Sequence, residues 1–160
     1  MPEGISSTKH IKQVYKAIKM FHPTVLEDIK PKMIRPVPVL THTILLPALL
    51  TKFCELKEVK EKEVVGIWKG SESVQLKTLF IAVIINLYDP ELLTGIHSDS
   101  MRDHLSEELA GLLKIQRTFI SQITENVKAF LNPHRPLPAY NDFKNEANKI
   151  SKVLEIEFSK

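Results

Sequence analysis

The sequence predicts an all-α fold, built as a core of three helices with further helices before and after it. Apolar residues recur at three- and four-residue steps in six runs, at about 8–22, 48–65, 73–87, 101–113, 116–131 and from 141 onward. Strand-like alternation occurs only at Leu154, Ile156 and Phe158, set between Glu155 and Glu157, where a short strand would also fit. With 160 residues, 43% of them hydrophobic, the chain can bury the core of one domain or two small ones, and disorder is not its expected state.

Three regions follow from the runs and the breaks between them: 1–70, helical, proline-broken and basic at its start; 71–131, the three-helix core; and 132–160, a linker and a C-terminal helix. The first run puts Ile11, Val14, Tyr15, Ile18 and Phe21 on one side of a helix and Lys9, Lys12, Lys16 and Lys19 on roughly the opposite side. The plain reading is a surface helix with a solvated lysine face. The sharper one is a face that contacts phosphates or a membrane surface. Charged residues recur through the first twenty positions, so they do not read as a signal peptide.

Prolines at 23, 31, 36, 38 and 47 break residues 22–47 into short helical pieces and turns, since each removes a donor and disfavours helix in the residue before it. The apolar stretch 37–50 is shorter than the roughly 20 residues a spanning helix needs and contains Pro38, Thr41, His42, Thr43 and Pro47. It reads as buried core, and no membrane partner is expected. From 48 to 65 Leu49, Phe53, Leu56 and Val59 share one face, while Lys57, Glu58, Lys60, Glu61, Lys62 and Glu63 fill a solvent-laced other face.

Gly66 and Gly70 bracket Ile67 and Trp68 at a sub-domain boundary, after which Ser71 or Ser73 can cap the next helix. That helix, 73–87, is apolar on nearly every side, as a central buried helix is, and Asp89 and Pro90 end it. Ser100 and Asp103 have the spacing of a capping box ahead of Met101, Leu105, Leu109, Leu112 and Leu113. After Lys114, Ile115 and Gln116 a second periodic run carries Ile120, Ile123, Val127, Phe130 and Leu131. Residues 132–138 form a stiff connector, and the last helix places Phe143, Ala147, Ile150 and Leu154 on one face.

Two helices joined by about three residues cross steeply, which requires a small residue where the backbones approach; Ala110 supplies it, and Leu113 and Ile115 pin the turn to the core. The expected centre is therefore a three-helix helix-turn-helix core. The string LSEELAGLLKIQRTFISQITENVKAFL, residues 105–131, resembles the helix-turn-helix of lambda-repressor and Cro-like proteins through Leu109, Ala110, Leu113, Ile115, Ile120, Ser121 and Ile123. Where that motif has a left-handed glycine this chain has Lys114, at a cost of roughly 1 kcal/mol. The order of elements around it more loosely resembles small regulators of phages and bacterial mobile elements.

The resemblance implies that the second helix enters the major groove and that Gln116, Arg117, Thr118, Ser121, Gln122 and Glu125 face the DNA, with Lys128 near a phosphate. Glutamine can read adenine, arginine can read guanine, and Ser or Thr can take a phosphate or base edge. The motif itself is neutral, with Arg102, Lys114, Arg117 and Lys128 matched by Asp103, Glu107, Glu108 and Glu125. Phosphate contacts would come from Lys9, Lys12, Lys16 and Lys19, or from Arg135, Lys144, Lys149 and Lys152. Residues 1–40 do carry seven Lys/Arg against three Asp/Glu in a chain of net charge +3, so the basic end lies there.

Five glycines leave no phosphate loop or dinucleotide fingerprint, and the six histidines show no zinc-helix spacing. His97, Asp99, Asp103 and His104 are the nearest cluster and read as the surface of a helix start. The lone Cys54 matches no redox or metal spacing and suits a reducing, cytoplasmic setting; its neighbours make it a small core residue. No Gly-x-Ser-x-Gly elbow is present. The expectation is a non-enzymatic, cofactor-free, cytoplasmic protein that binds duplex DNA sequence-specifically, as a homodimer, and regulates transcription or replication. The alternative is a helical protein-interaction or structural module of a phage or mobile element that does not bind DNA.

Overall fold

The computed structural model of the chain describes residues 7–67, 70–95 and 99–159; Trp68 and His97 lie outside them. The chain divides into two compact units, Met1–Arg35 and Pro36–Lys160. Among the described residues every regular element is helical, so the all-α expectation holds. No described helix is long and apolar enough to cross a membrane.

In the first unit, α1 (Ser7–Phe21) covers the basic amphipathic run, and α2 (Pro23–Ile29) follows after His22. Pro23 begins α2 because its fixed φ and missing N–H suit the first helical turn. A 3-10 turn, Lys30–Met33, closes the unit, with Lys30 beside Glu27 at 3.6 Å and Lys32 beside Asp28 at 3.3 Å.

The second unit holds α3 (Leu46–Lys57), α4 (Glu61–Val64), α5 (Ser71–Tyr88), α6 (Asp103–Leu113), α7 (Arg117–Leu131) and α8 (Asn141–Phe158). Its axis is α5, whose residues from Leu79 to Ile85 are all buried and which packs on α4, α7 and α8. Phe80 meets Phe53 of α3 edge-on, with ring centroids 5.2 Å apart. The Asn86 amide donates to Ser151 Oγ at 3.0 Å and Asn148 Oδ1 at 3.3 Å, tying α5 to α8 by polar contacts as well. The extended segment before α3 is anchored to the C-terminal end of α5: Val39 and Leu40 donate N–H groups to the Leu87 carbonyl, and the Tyr88 hydroxyl donates to the His42 carbonyl at 2.7 Å. Burial pushes the Tyr88 phenol up to about 12.

Four local expectations are corrected. The run 48–65 is not one helix: α3 stops at Lys57, Glu58 turns left-handed (φ 55°, ψ 41°), and Val59 N–H donates back to the Cys54 carbonyl at 3.0 Å. This six-to-one bond satisfies a carbonyl that the helix end would leave open, and α4 restarts with Glu63 accepting the Lys60 N–H at 2.6 Å. Secondly, α6 starts at Asp103 with Arg102 as its N-cap, so Ser100 does not cap it; the Arg102 N–H goes instead to Asp89 Oδ2 at 3.3 Å. Similarly, Gly70, with φ of 111° that only glycine adopts readily, precedes α5 in place of a serine cap. At the other end, α8 runs to Phe158 as helix, which excludes the short strand.

Candidate nucleic-acid interface

The α6–α7 pair is held from below by apolar burial. Leu105, Leu109 and Leu113 of α6 and Ile120, Ile123, Val127 and Leu131 of α7 are all buried, and α7 packs on α5. The connecting turn is three residues long. Lys114 is left-handed (φ 55°, ψ 45°), as a turn at that position requires, and both its N–H and that of Ile115 point at the Ala110 carbonyl, the latter at 3.1 Å. Ile115 packs against the core, and the Leu113 carbonyl accepts the Gly66 N–H at 2.7 Å, so the turn is fixed on both sides. Gln116, extended at φ −73° and ψ 150°, then opens α7.

Amphipathic periodicity leaves the other face of α7 in solvent. Gln116, Arg117, Thr118, Ser121, Gln122 and Glu125 are exposed and Lys128 half-exposed. The Thr118 hydroxyl lies 3.5 Å from Gln116 Oε1. Ser121 and Gln122 make no side-chain hydrogen bond among the described residues. Lys128 Nζ is 3.3 Å from Glu125 Oε1 and donates to the Asp99 carbonyl at 2.7 Å.

Arg117 is engaged with the helix before it. Its Nη2 sits 3.3 Å from Asp103 Oδ1 and 3.2 Å from Ser106 Oγ, and its Nη1 3.2 Å from Glu107 Oε1. These anchors were not anticipated in the sequence reading, although Asp103, Ser106 and Glu107 stand at three- and four-residue steps on one face of α6, which is the signal that could have found them. A cleft of about 110 Å³ between the two helix starts is lined by Ser100, Asp103, Arg117, Ser121 and Glu125 among others.

The candidate phosphate-contacting lysines divide between the units. Lys9, Lys12, Lys16 and Lys19 lie exposed on α1, and none holds an ion pair among the described residues. Arg135 precedes α8, and Lys144, Lys149 and Lys152 lie along it.

Two buried charged residues escaped the sequence reading. Lys77 of α5 is 1% exposed, donates to Ser73 Oγ at 2.7 Å, and has its amine pushed below the usual lysine range by burial. Asp89 is fully buried, and burial raises its carboxyl against the opposing pull of the Arg102 amide and guanidinium. Both sit on or beside a helix whose apolar run masked them.

Among the described residues no group of three or more His, Cys, Asp or Glu converges on a metal position, and His104 Nε2 lies 3.2 Å from Thr43 Oγ1. Cys54 is buried, and burial, followed by the nearby Glu61 and Glu63, pushes its thiol up to about 11, which disfavours the nucleophilic thiolate. A groove of about 690 Å³ runs past Val59, Leu76, Phe130, Tyr140 and Phe143, where Phe130 and Tyr140 stack at 4.0 Å. Glu63, Glu72 and Glu146 also line it together with Lys57, which pairs with Glu146, so its net charge is negative and unsuited to phosphates.

No protein family, curated protein or solved structure matches this chain. Function therefore rests on the geometry of α6, α7 and the surfaces around them.

Proposed function

We propose that the chain binds duplex DNA sequence-specifically through the outer face of α7, as a homodimer, in regulating transcription or replication. The observation that carries this reading is the polar row Gln116, Thr118, Ser121 and Gln122 on the first turns of a helix presented by a three-residue turn and backed by α5. Such a row meets base edges when the helix lies in a major groove.

The Arg117 contacts do not oppose it on energetic grounds. Asp103 and Glu107 are 92% and 60% exposed, so releasing the guanidinium costs about 0–1 kcal/mol, while a bidentate contact to guanine is worth about 1–3 kcal/mol. Arg117 can thus leave its partners for a base. The test is a double substitution, Arg117→Ala with Gln122→Ala, measured against a duplex selected for wild-type binding. The selected site should bind at least tenfold more weakly with stability lowered by no more than about 1 kcal/mol, and undiminished binding would remove α7 from the account.

A second reading, a helical protein-interaction module, is favoured by the acidic, aromatic groove around Phe130, Tyr140 and Phe143 and by the neutral charge of the α6–α7 motif as a whole. An amphipathic partner helix with basic flanks would fit such a groove. This reading expects no DNA binding at any salt and a stable protein complex that Phe143→Glu disrupts.

A further inference from the structure

We infer that α1 is a peripheral membrane-binding helix that lies on anionic lipid surfaces, a role separate from the proposed DNA contact by α7. At 100° per residue Ile11, Val14, Ile18 and Phe21 fall within an arc of roughly 80°, flanked by Tyr15, and Lys9, Lys12, Lys16 and Lys19 occupy a similar arc on the far side. Within its own unit the apolar arc is only partly covered: Ile18 is half-buried, whereas Ile11 is 65% exposed and Phe21 71%. Between Ser7 and Phe21 there is no acidic residue. Among the described residues of the unit the carboxylates are Glu27 and Asp28, which stand beside Lys30 and Lys32, so the four α1 lysines hold no ion pair there.

The two halves of this pattern suit different ligands, and few ligands take both. Duplex DNA would neutralise the lysines and leave the apolar arc in water. An apolar protein groove would cover the arc and leave the lysines in solvent. An anionic bilayer takes both at once, because the arc sinks to the headgroup–acyl boundary while the long lysine stems reach up to lipid phosphates. The contrast with α8 is instructive. That helix is also amphipathic, but its apolar residues Ala147, Ile150 and Leu154 are buried and its polar face mixes Asp142, Glu146 and Glu155 with Lys144, Lys149 and Lys152. Its surface is that of an ordinary packed helix, and α1 lacks both features. A helix of 15 residues is about 22 Å long, enough to lie along a surface and too short to span one.

The experiment is flotation of the full chain with vesicles of phosphatidylcholine containing about one third phosphatidylserine, compared with phosphatidylcholine alone. The chain should float with the anionic vesicles and stay behind with the neutral ones. Each of Lys12→Gln, Lys16→Gln and Lys19→Gln, which keep helix propensity, should lower partitioning roughly fivefold. Ile11→Glu with Phe21→Glu should abolish it while far-ultraviolet circular dichroism shows an unchanged helix content. Absence of flotation with anionic vesicles, or equal flotation with both kinds, overturns the proposal. So does loss of binding in the lysine variants with the Ile11→Glu, Phe21→Glu chain still bound, which would assign the lysines to a polyanion such as DNA.

Discussion

Arg117 at the start of α7 reaches back across the turn to Asp103 at the start of α6, with the guanidinium Nη2 3.3 Å from the carboxylate. Glu107, one helical turn beyond Asp103, takes the other terminal nitrogen at 3.2 Å. The cation best suited to reading a guanine is thereby the one that also braces the two helices.

Releasing that cation should strengthen DNA binding. Asp103→Asn with Glu107→Gln removes two negative charges beside the proposed interface and should tighten duplex binding about three- to tenfold at low salt. Because the pairs are exposed, stability should fall by no more than about 1 kcal/mol, which urea denaturation would register. Weaker DNA binding by this variant would show that Arg117 works as a brace only.

Lys114 and Glu58 are the non-glycine residues with positive φ among those described, and each ends a helix with a back-bond from the following residue. Lys114→Gly should relieve the left-handed strain and raise stability by up to about 1 kcal/mol, offset in part by the greater freedom of glycine in the unfolded chain. Lys114→Val, stiff at its β-carbon, should destabilise by more than that. Thermal unfolding of the two variants decides it, and a destabilised Lys114→Gly would mean that the lysine side chain supports the turn.

The helices were largely legible because α5, α6 and α7 announce themselves through uninterrupted apolar periodicity, and the observed bounds lie within two residues of the expected ones. Their breaks were less so. The chain leaves α3 at Glu58 without a glycine or proline to mark it, since the hydrogen bond from Val59 to Cys54 outweighs the strain and local composition carries no trace of it. At α6 the Ser100 spacing suggested a cap, but the buried Asp89, distant in sequence, takes the Arg102 amide instead. For the same reason the sequence could mark Arg117 as outward-facing without revealing its three partners: periodicity gives the face of a helix, whereas pairing depends on how the next helix crosses it.

Lys77 gives a pH signature. Its folded-state pKa lies below the ordinary 10.5, so the unfolded chain binds the proton more tightly and ionised Lys77 destabilises the fold. That penalty is complete below the folded-state value and disappears as pH rises through the window up to 10.5. Lys77→Met should therefore stabilise at neutral pH and show a shrinking advantage as pH climbs towards 10.5, measured by urea denaturation at each pH. A constant advantage would mean that packing, and not charge, sets the difference.

Asp89 runs the other way. Its carboxyl is raised above 3.8 by burial, so the ionised form is disfavoured in the fold, and its contribution is best below 3.8 and lost as pH rises through the folded-state value. Asp89→Asn should match or exceed wild-type stability at pH 7 and lose that advantage towards pH 4. A large loss at pH 7 would instead assign Asp89 an essential ion pair with Arg102, whose Nε lies 3.9 Å away.

Fluorescence anisotropy with a labelled duplex, titrated at several salt concentrations, tests the central claim most directly when wild type is compared with a Ser121→Glu, Gln122→Glu chain. The account predicts wild-type binding whose logarithm falls linearly with the logarithm of salt, by about 0.9 per phosphate neutralised, and at least tenfold weaker binding once the α7 face is made acidic. Absence of wild-type binding at low salt, or equal binding by both proteins, would contradict it.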